Sequence, residues 1–269
     1  MGVVQALILG VVQGLTEALP ISSSGHLVIL PLLFGWKEQP LVFDTTLHLG
    51  TALALLIYFF KDLWAIFIAF VKDFFSHYAK IKNYSEKGYL GVLLLVGCIP
   101  AALLGFLFND LFETTFRSLT AVAIFLLVGS ALMLFAEKFS KKTDAKLTVK
   151  KSLFIGFMQS LALFPGVSRS GATISAGMLA GLNREEAARF SFLLSVPIVV
   201  MAGVFKLVTS FSLLSSISIW PILVGFVAST LFGILAIEIL LRFVRKNNLT
   251  VFIVYRIALA VFLLVLALR

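Results

Sequence analysis

The sequence is short of charged residues and almost free of cysteine, and both shortages restrict the kind of protein it can form. Charged residues make up 13% of the 269 residues and hydrophobic residues 60%, whereas soluble domains carry roughly a quarter charged residues. The one cysteine, Cys98, lies in an apolar run, which supports neither a disulfide nor a cysteine metal cluster. The composition therefore excludes a water-soluble domain and predicts an integral membrane protein.

The excess of positive charge does not indicate a nucleic-acid partner. The formal net charge is +9, but the Lys and Arg residues lie in loops between apolar segments. This placement is typical of membrane orientation and not of a groove-binding face. The N-terminus has no basic region ahead of its apolar run, so we expect no removable signal peptide.

Apolar segments long enough to cross a bilayer, which takes about 20 residues, occur along most of the chain. They lie at 43–60, 88–108, 118–136, 187–209, 217–240 and 250–268. The segment 62–75 is too short and too charged at its ends to cross, and it is typical of an amphipathic helix at the membrane surface. We therefore predict a multi-pass, all-α protein of the bacterial cytoplasmic (inner) membrane, surrounded by membrane lipids.

Two further apolar stretches, 2–35 and 152–182, are interrupted near their middles by Pro, Ser and Gly. We call residues 20–26 the first break and residues 165–171 the second break. Backbone outside a helix is tolerated at membrane depth only where protein or a water-filled cavity satisfies its polar groups. Each stretch is therefore predicted to be a re-entrant helical hairpin whose tip lies inside the membrane.

The two interrupted stretches are copies of each other. A shift of 146 residues aligns identical residues without a gap: Gly10 with Gly156, Gln13 with Gln159, Leu15 with Leu161, Ser22 with Ser168, Ser24 with Ser170, Gly25 with Gly171 and Gly35 with Gly181. A weaker match, at a shift of 128 residues, places Val96-Gly97 on Val224-Gly225. Together the matches predict two repeats, about 1–137 and 150–269, within one membrane domain.

The distribution of Lys and Arg predicts the orientation of these repeats. Most basic residues lie in three loops, at 61–87, 137–151 and 241–249. Three other connections, at 36–42, 109–117 and 210–216, contribute only Lys37 and Arg117. Basic loops face the cytoplasm, which gives each repeat three spans, an odd number, plus one hairpin that does not cross. The sequence therefore predicts an all-α polytopic membrane protein with two inverted-topology repeats, an arrangement that builds binding sites from broken helices.

Polar side chains that could perform chemistry are concentrated in and beside the two breaks. Gln13 and Glu17 are four residues apart and share one helix face. Ser24 and Ser170 are expected to be the N-caps of the helices that follow the breaks. Two helix N-termini that converge on Arg169 would form an anion site, since a guanidinium can hold a phosphate with two nitrogens.

The carboxylate of Glu17 needs a proton or a cation beside a phosphate. It is therefore a candidate general acid or base, or a ligand for Mg²⁺ or Ca²⁺ shared with substrate oxygens. His26 is a candidate proton shuttle. Asp44 and His48, on one face of a span, could equally line a pore, pair structurally or take part in catalysis. Ser22 could simply bind backbone, and Arg256 has no evident role.

At these residues the sequence resembles the undecaprenyl-diphosphate phosphatase family, also called bacitracin-resistance proteins. The first motif is Gln/Glu-x-x-x-Glu followed by Pro-x-Ser-Ser-x-Gly-His, here Gln13, Glu17 and residues 20–26. The second is Pro-Gly-x-Ser-Arg-Ser-x-x-Thr, here residues 165–173. The sequence does not depart from the family pattern at these positions, and the resemblance extends over essentially the whole chain.

The resemblance implies hydrolysis of undecaprenyl diphosphate to its monophosphate, which recycles the lipid carrier for peptidoglycan synthesis and confers bacitracin resistance. It also implies a requirement for a divalent cation, for which Mg²⁺ or Ca²⁺ with Glu17 as a candidate ligand was considered above, and an active site that opens on the outer face. The catalytic residues it implies are Glu17, Ser23, His26 and Arg169. The substrate-binding residues it implies are Gln13, Ser22, Ser168, Ser170 and Thr173.

Other functions remain open at this point. The lipid phosphatases that use a phosphohistidine need a histidine after the Ser-Arg pair, and here no histidine follows Ser168-Arg169. A transporter is the stronger rival, because inverted repeats and broken helices are common in transporters. A scaffold would give no reason to bury Glu17 and Arg169. The sequence leaves open whether Ser23 or water attacks, whether the product is also flipped across the membrane, and whether a homodimer forms.

Overall fold

A computed structural model describes most of the chain. The residues described are 1–37, 39–78, 80–114, 116, 118–141, 146–209 and 218–268. Arg117, Lys142 and the segment 210–216, which contribute to the predicted orientation, lie outside this description.

The described residues are helical apart from short connections, as predicted. In chain order the helices are α1 (Val3–Ala18), α2 (Ser23–Leu33), α3 (Leu41–Tyr58), α4 (Phe60–His77), α5 (Glu86–Thr114), α6 (Leu119–Phe139), α7 (Val149–Ser160), α8 (Arg169–Leu179), α9 (Arg184–Thr209), α10 (Ile219–Lys246) and α11 (Thr250–Ala267). Short 3₁₀ turns occupy Ile81–Asn83 and Leu161–Leu163.

Among the described residues, five helices are long and apolar enough to span a membrane by themselves. These spans are Glu86–Phe108, Leu119–Phe139, Arg184–Val204, Ile219–Lys246 and Thr250–Ala267. A sixth is possible only if the bent pair α3 and α4 counts as one span, because their axes differ by 77°. The chain therefore turns between α3 and α4, where the sequence predicted that a span ends and a separate amphipathic helix begins.

The helices before the two breaks cross helices of the opposite half of the chain. Helix α1 packs against α10, and α7 packs against α5. A Cβ atom on Gly10 would lie 2.5 Å from the carbonyl oxygen of Gly225. A Cβ atom on Gly156 would likewise collide with the carbonyl oxygen of Gly97. Gly10 matches Gly156 at a shift of 146 residues, and Gly97 matches Gly225 at a shift of 128. Each of the two helix crossings therefore brings one glycine of the first pair against one glycine of the second.

Ion pairs join the helix ends at one side of the molecule. Arg189 of α9 binds Asp62 of α4 at 2.8 Å, and Arg245 of α10 binds Glu185 of α9 at 2.7 Å. Arg184 pairs with Glu137 at the end of α6. These residues adjoin the loops 61–87, 137–151 and 241–249, so the three basic loops lie at the same end. Glu238 and Arg242, four residues apart in α10, also form an ion pair.

The largest buried apolar cluster lies between α3, α5, α8, α9 and α10, with Phe59 and Phe192 among its fully buried members. Outward faces stay apolar, and Phe106 and Trp220 are 74% and 66% exposed. A surface of this kind suits contact with lipid.

Candidate active site

Each break places a serine in an unusual backbone conformation at the start of a helix. Ser22 has φ +72° and accepts a hydrogen bond from the Gly25 N–H at 3.4 Å. Ser168 has φ +74° and accepts from the Gly171 N–H at 3.2 Å. The predicted N-caps, Ser24 and Ser170, are therefore wrong by two residues. The chain reverses earlier because Ser22 and Ser168 adopt left-handed conformations, which non-glycine residues rarely do.

The two breaks contact each other across the molecule. The Gly166 N–H of the second break donates to Ser24 Oγ of the first at 3.4 Å. Ser170 Oγ donates in return to the carbonyl oxygen of Leu19 at 3.2 Å. The prediction that the two breaks converge is confirmed.

A carboxylate from the first half of the chain meets a guanidinium from the second. Arg169 Nη2 donates to Glu17 Oε1 at 2.9 Å, with both side chains almost buried. Glu17 Oε2 accepts from Ser23 Oγ at 2.5 Å and from Gln13 Nε2 at 3.2 Å. The predicted shared face of Gln13 and Glu17 is therefore observed, and Glu17 of the first half meets Arg169 of the second. Ser23, Glu17 and Arg169 form one continuous hydrogen-bonded chain.

A cavity of about 880 Å³ lies beside this chain of hydrogen bonds. Its polar lining includes Arg169, Gln159, His48, Asp44 and Ser24, while α2, α5 and α9 provide apolar walls. Ser23 and Glu17 do not line the cavity themselves. Glu17 binds Arg169, which does. The cavity thus combines a small polar end with a long apolar surface, which suits an amphiphile with a charged head group.

His48 faces the same group of residues from α3. Its Nε2 atom is 3.7 Å from Glu17 Oε2, and its Nδ1 atom is 2.8 Å from the carbonyl oxygen of Asp44. Both His48 and Asp44 line the cavity. The structure therefore places both residues at the cavity wall. Of the roles considered for this pair, lining a cavity is the one that is observed.

His26 and Thr173 turn away from the Glu17–Arg169 pair. The ring of His26 bridges the carbonyl oxygen of Ser22 at 2.7 Å and Tyr255 Oη at 2.6 Å. Thr173 is buried and bonds to the carbonyl oxygen of Arg169 at 2.8 Å and to Ser191 Oγ at 2.6 Å. Both side chains therefore hold the helices that follow the breaks, and neither contacts Glu17.

Arg256 is the site-related residue that sequence reasoning missed. It is fully buried, and its guanidinium donates to the carbonyl oxygen of Pro20 in the first break at 3.3 Å. It also donates to the carbonyl oxygens of Gly166 and Val167 in the second break at 3.0 and 2.9 Å. It thereby satisfies backbone that the breaks leave outside any helix. The only sequence signal was a lone arginine inside an apolar span.

The side chains at the candidate site do not form a metal site by themselves. In the part of the chain that the structure describes, no three His, Cys, Asp or Glu side chains are grouped as metal ligands. Both oxygens of Glu17 already accept hydrogen bonds, from Arg169 on one side and from Ser23 and Gln13 on the other. No chemical step is therefore assigned to a metal here.

Fold and site together define a multi-pass membrane protein with a buried carboxylate–guanidinium pair beside a largely apolar cavity. Comparison with known proteins narrows this class. The family model described as "Bacitracin resistance protein BacA" matches residues 6–262, and the chain belongs to that family.

Similar proteins carry the name undecaprenyl-diphosphatase. One from Geotalea daltonii is 45% identical over 98% of each chain. One from Caldicellulosiruptor bescii is 44% identical over 97% of this chain and 96% of its own. One from Methanosphaera stadtmanae is 41% identical over 94% of each chain. The residues matched by the family model, 6–262, include both breaks and at least part of every described helix.

Proposed function

We propose that this protein is an undecaprenyl-diphosphatase, which hydrolyses undecaprenyl diphosphate to undecaprenyl phosphate and inorganic phosphate. Membership of the family and the name of its relatives support this activity. The observation that carries the proposal is the Glu17–Arg169 pair, with Ser23 bonded to its carboxylate, beside a cavity with apolar walls. The reaction returns the lipid carrier to peptidoglycan synthesis and so counters bacitracin.

We propose that Ser23 is the nucleophile and Glu17 its general base. Ser23 Oγ already donates to Glu17 Oε2 at 2.5 Å, which is the geometry expected of an activated hydroxyl. Its oxygen would attack the terminal phosphorus as its proton passes to Glu17. The bond from that phosphorus to the bridging oxygen would then break and release undecaprenyl phosphate. Water would hydrolyse the phosphoserine, and Arg169 would stabilise the charge that develops on the phosphoryl group.

The remaining residues implied by the family resemblance receive supporting roles in this proposal. Gln13 orients Glu17 through its amide. Ser22 and Ser168 cap the two helices whose N-termini point toward the phosphates, and Ser170 joins the breaks. Thr173 and His26 hold these helices in place. Proton transfer by His26 would require its ring to leave Tyr255.

A divalent cation, Mg²⁺ or Ca²⁺, belongs to the proposal as a partner of the substrate. Such ions bind phosphate oxygens together with one or two carboxylates. The diphosphate would supply most of the ligands and Glu17 the protein ligand, through the lone pair of Oε1 that Arg169 leaves unused. A requirement for the ion would appear as loss of phosphate release in chelator.

The topology proposed for the membrane is two inverted repeats, each with one re-entrant hairpin and three spans. The reciprocal crossings of α1 with α10 and α7 with α5 support the repeats, and the ion pairs at the basic end support the orientation. The cavity reaches Trp36, Phe106 and Gly203, which adjoin the weakly basic connections. The active site is therefore proposed to open on the outer face.

A phosphate-release assay tests the proposed activity. Purified protein in detergent, supplied with undecaprenyl diphosphate and Mg²⁺ or Ca²⁺, should release inorganic phosphate. Glu17→Gln and Arg169→Lys should each lower the rate by about 100-fold or more, because each removes charge or geometry that the transition state requires. Arg189→Lys, at an exposed ion pair outside the cavity lining, is the matched control and should stay near wild type.

Two results would contradict the proposal. Absence of phosphate release from the wild type with cation supplied, together with movement of the lipid across vesicles, would favour transport. Inversion of configuration at a chiral terminal phosphorus would exclude Ser23 as nucleophile, since two successive displacements retain configuration. Direct attack by water would then replace it.

A further inference from the structure

Unpaired buried polar atoms are concentrated around the candidate site. Gln159, at the end of α7, is 3% exposed. Among the described residues neither its amide nitrogen nor its amide oxygen has a hydrogen-bond partner, and Arg169 Nη1 also has none. Gln159 and Arg169 both line the cavity. Native proteins rarely leave buried polar groups unpaired, so each such group calls for an explanation.

The repeat shows why Gln159 is unpaired. Its counterpart in the first half of the chain, 146 residues earlier, is Gln13, whose amide donates to Glu17 at 3.2 Å. The counterpart of Glu17 is Leu163. The second hairpin therefore keeps the glutamine but lacks the carboxylate that would bind it. The Gln13 amide donates within the protein although its oxygen has no partner, whereas neither atom of the Gln159 amide has a partner among the described residues.

Packing alone gives no reason for an amide at residue 159. A leucine has a similar volume and would remove two polar atoms that the protein leaves unpaired. The guanidinium of Arg169, another lining residue, has one nitrogen bound to Glu17 and one without a partner among the described residues. Gln159 and Arg169 thus both line the cavity, and each has a buried N–H group without a partner among the described residues.

We infer that Gln159 is a substrate-binding residue that donates its amide N–H to a phosphate oxygen also held by Arg169 Nη1. The ligand class is a lipid-linked diphosphate, so the inference rests on the proposed function. The amide oxygen faces the same ligand and accepts from its hydroxyl or from a bridging water. Gln159 thereby extends the phosphate site from the Glu17 side of Arg169 to the opposite side.

The test compares Gln159→Leu with Ser175→Ala. Ser175 Oγ is also buried without a partner, but Ser175 is not among the residues that line the cavity. Both changes remove an unpaired polar group, so both variants should melt at or above the wild-type temperature without substrate. Only Gln159→Leu should raise KM for undecaprenyl diphosphate, by about tenfold, with kcat changed by less than about threefold. Gln159→Glu should raise KM further, because its carboxylate repels phosphate.

Two outcomes would overturn the inference. One is a wild-type KM for Gln159→Leu. The other is a lower melting temperature for Gln159→Leu than for Ser175→Ala, which would make the amide a structural group. The dissociation constant of undecaprenyl diphosphate, measured by thermal shift on both variants, tests this inference whether or not the protein hydrolyses the lipid. Wild-type protein that binds the lipid but releases no phosphate would overturn the activity, and the dissociation constants would still decide the role of Gln159.

Discussion

Arg256 shows how one residue can hold a site that it does not enter. Its guanidinium bonds to carbonyl oxygens of both breaks and also to Leu126 and Ser130 of α6. A guanidinium suits this role because its five N–H donors spread in a plane. Glu17 belongs to one hairpin and Arg169 to the other, so their separation depends on how the breaks are fixed to each other.

Arg256→Lys should therefore destabilise the protein although it keeps the charge. An ammonium group cannot reach all these acceptors, and each buried acceptor left unpaired costs about 1–3 kcal/mol. We expect the free energy of unfolding in detergent to fall by at least about 2 kcal/mol, with a lower rate of phosphate release. Arg242→Lys, at an exposed pair with Glu238, is the control and should change stability by less than about 0.5 kcal/mol. Equal melting temperatures for the two variants would contradict this role.

At the scale of the element, the starts of α2 and α8 combine a cap with strained backbone. Ser168 has φ +74° and caps Gly171. Ser168→Ala should lower the free energy of unfolding by about 1–2 kcal/mol, because it loses the cap and keeps the unfavourable φ. Ser168→Gly should lie closer to wild type, since glycine adopts that φ freely.

The control for this prediction is Ser118, which caps α6 through the Ala121 N–H with an ordinary φ of −67°. The difference in melting temperature between the alanine and glycine variants should be larger at Ser168 than at Ser118. Equal differences would show that the φ of Ser168 stores no strain.

The helix crossing of α7 with α5 makes a second prediction at this scale. Gly156→Ala would place a Cβ atom against the backbone of Gly97. The helices would have to separate, at a cost of about 1–3 kcal/mol in stability. Gly105→Ala in the same helix pair is the control, because its nearest neighbour would be Leu163 Cδ2 at 3.5 Å, an ordinary contact. Thermal unfolding of both variants checks this, and a stable Gly156→Ala protein would contradict the close crossing.

The helices and their breaks were predictable because long apolar runs and clusters of Pro, Ser and Gly are strong local signals. The meeting of Glu17 with Arg169 was predictable because the repeat and the charge pattern together bring the two breaks to one place. The caps were missed because the φ of Ser22 is a tertiary effect. The role of Arg256 was missed because its partners, such as Pro20, lie up to 236 residues away in the chain. Side-chain direction at His26 likewise depends on Tyr255, on another helix.

At the scale of the whole molecule, the two ends differ in chemistry, and this difference predicts which side of the membrane the cavity faces. One end carries the basic loops and the ion pairs of Arg189 and Arg245. The cavity reaches toward the opposite end. Positively charged loops stay in the cytoplasm, so the substrate head group should enter from outside.

Cysteine labelling tests this orientation without measuring activity. The native Cys98 is 4% exposed, so the parent chain should not react with a membrane-impermeant maleimide and serves as the background. Lys37 and Lys141 are exposed and lie on opposite sides of the membrane in the proposed topology, and each can be changed to cysteine. In right-side-out vesicles Lys37→Cys should be labelled and Lys141→Cys should not, whereas both should react after permeabilisation. The reverse pattern would place the cavity on the cytoplasmic side. Labelling of both variants in sealed vesicles would mean that residues 37 and 141 lie on the same side of the membrane. That result is incompatible with the three spans that the proposed topology places between them.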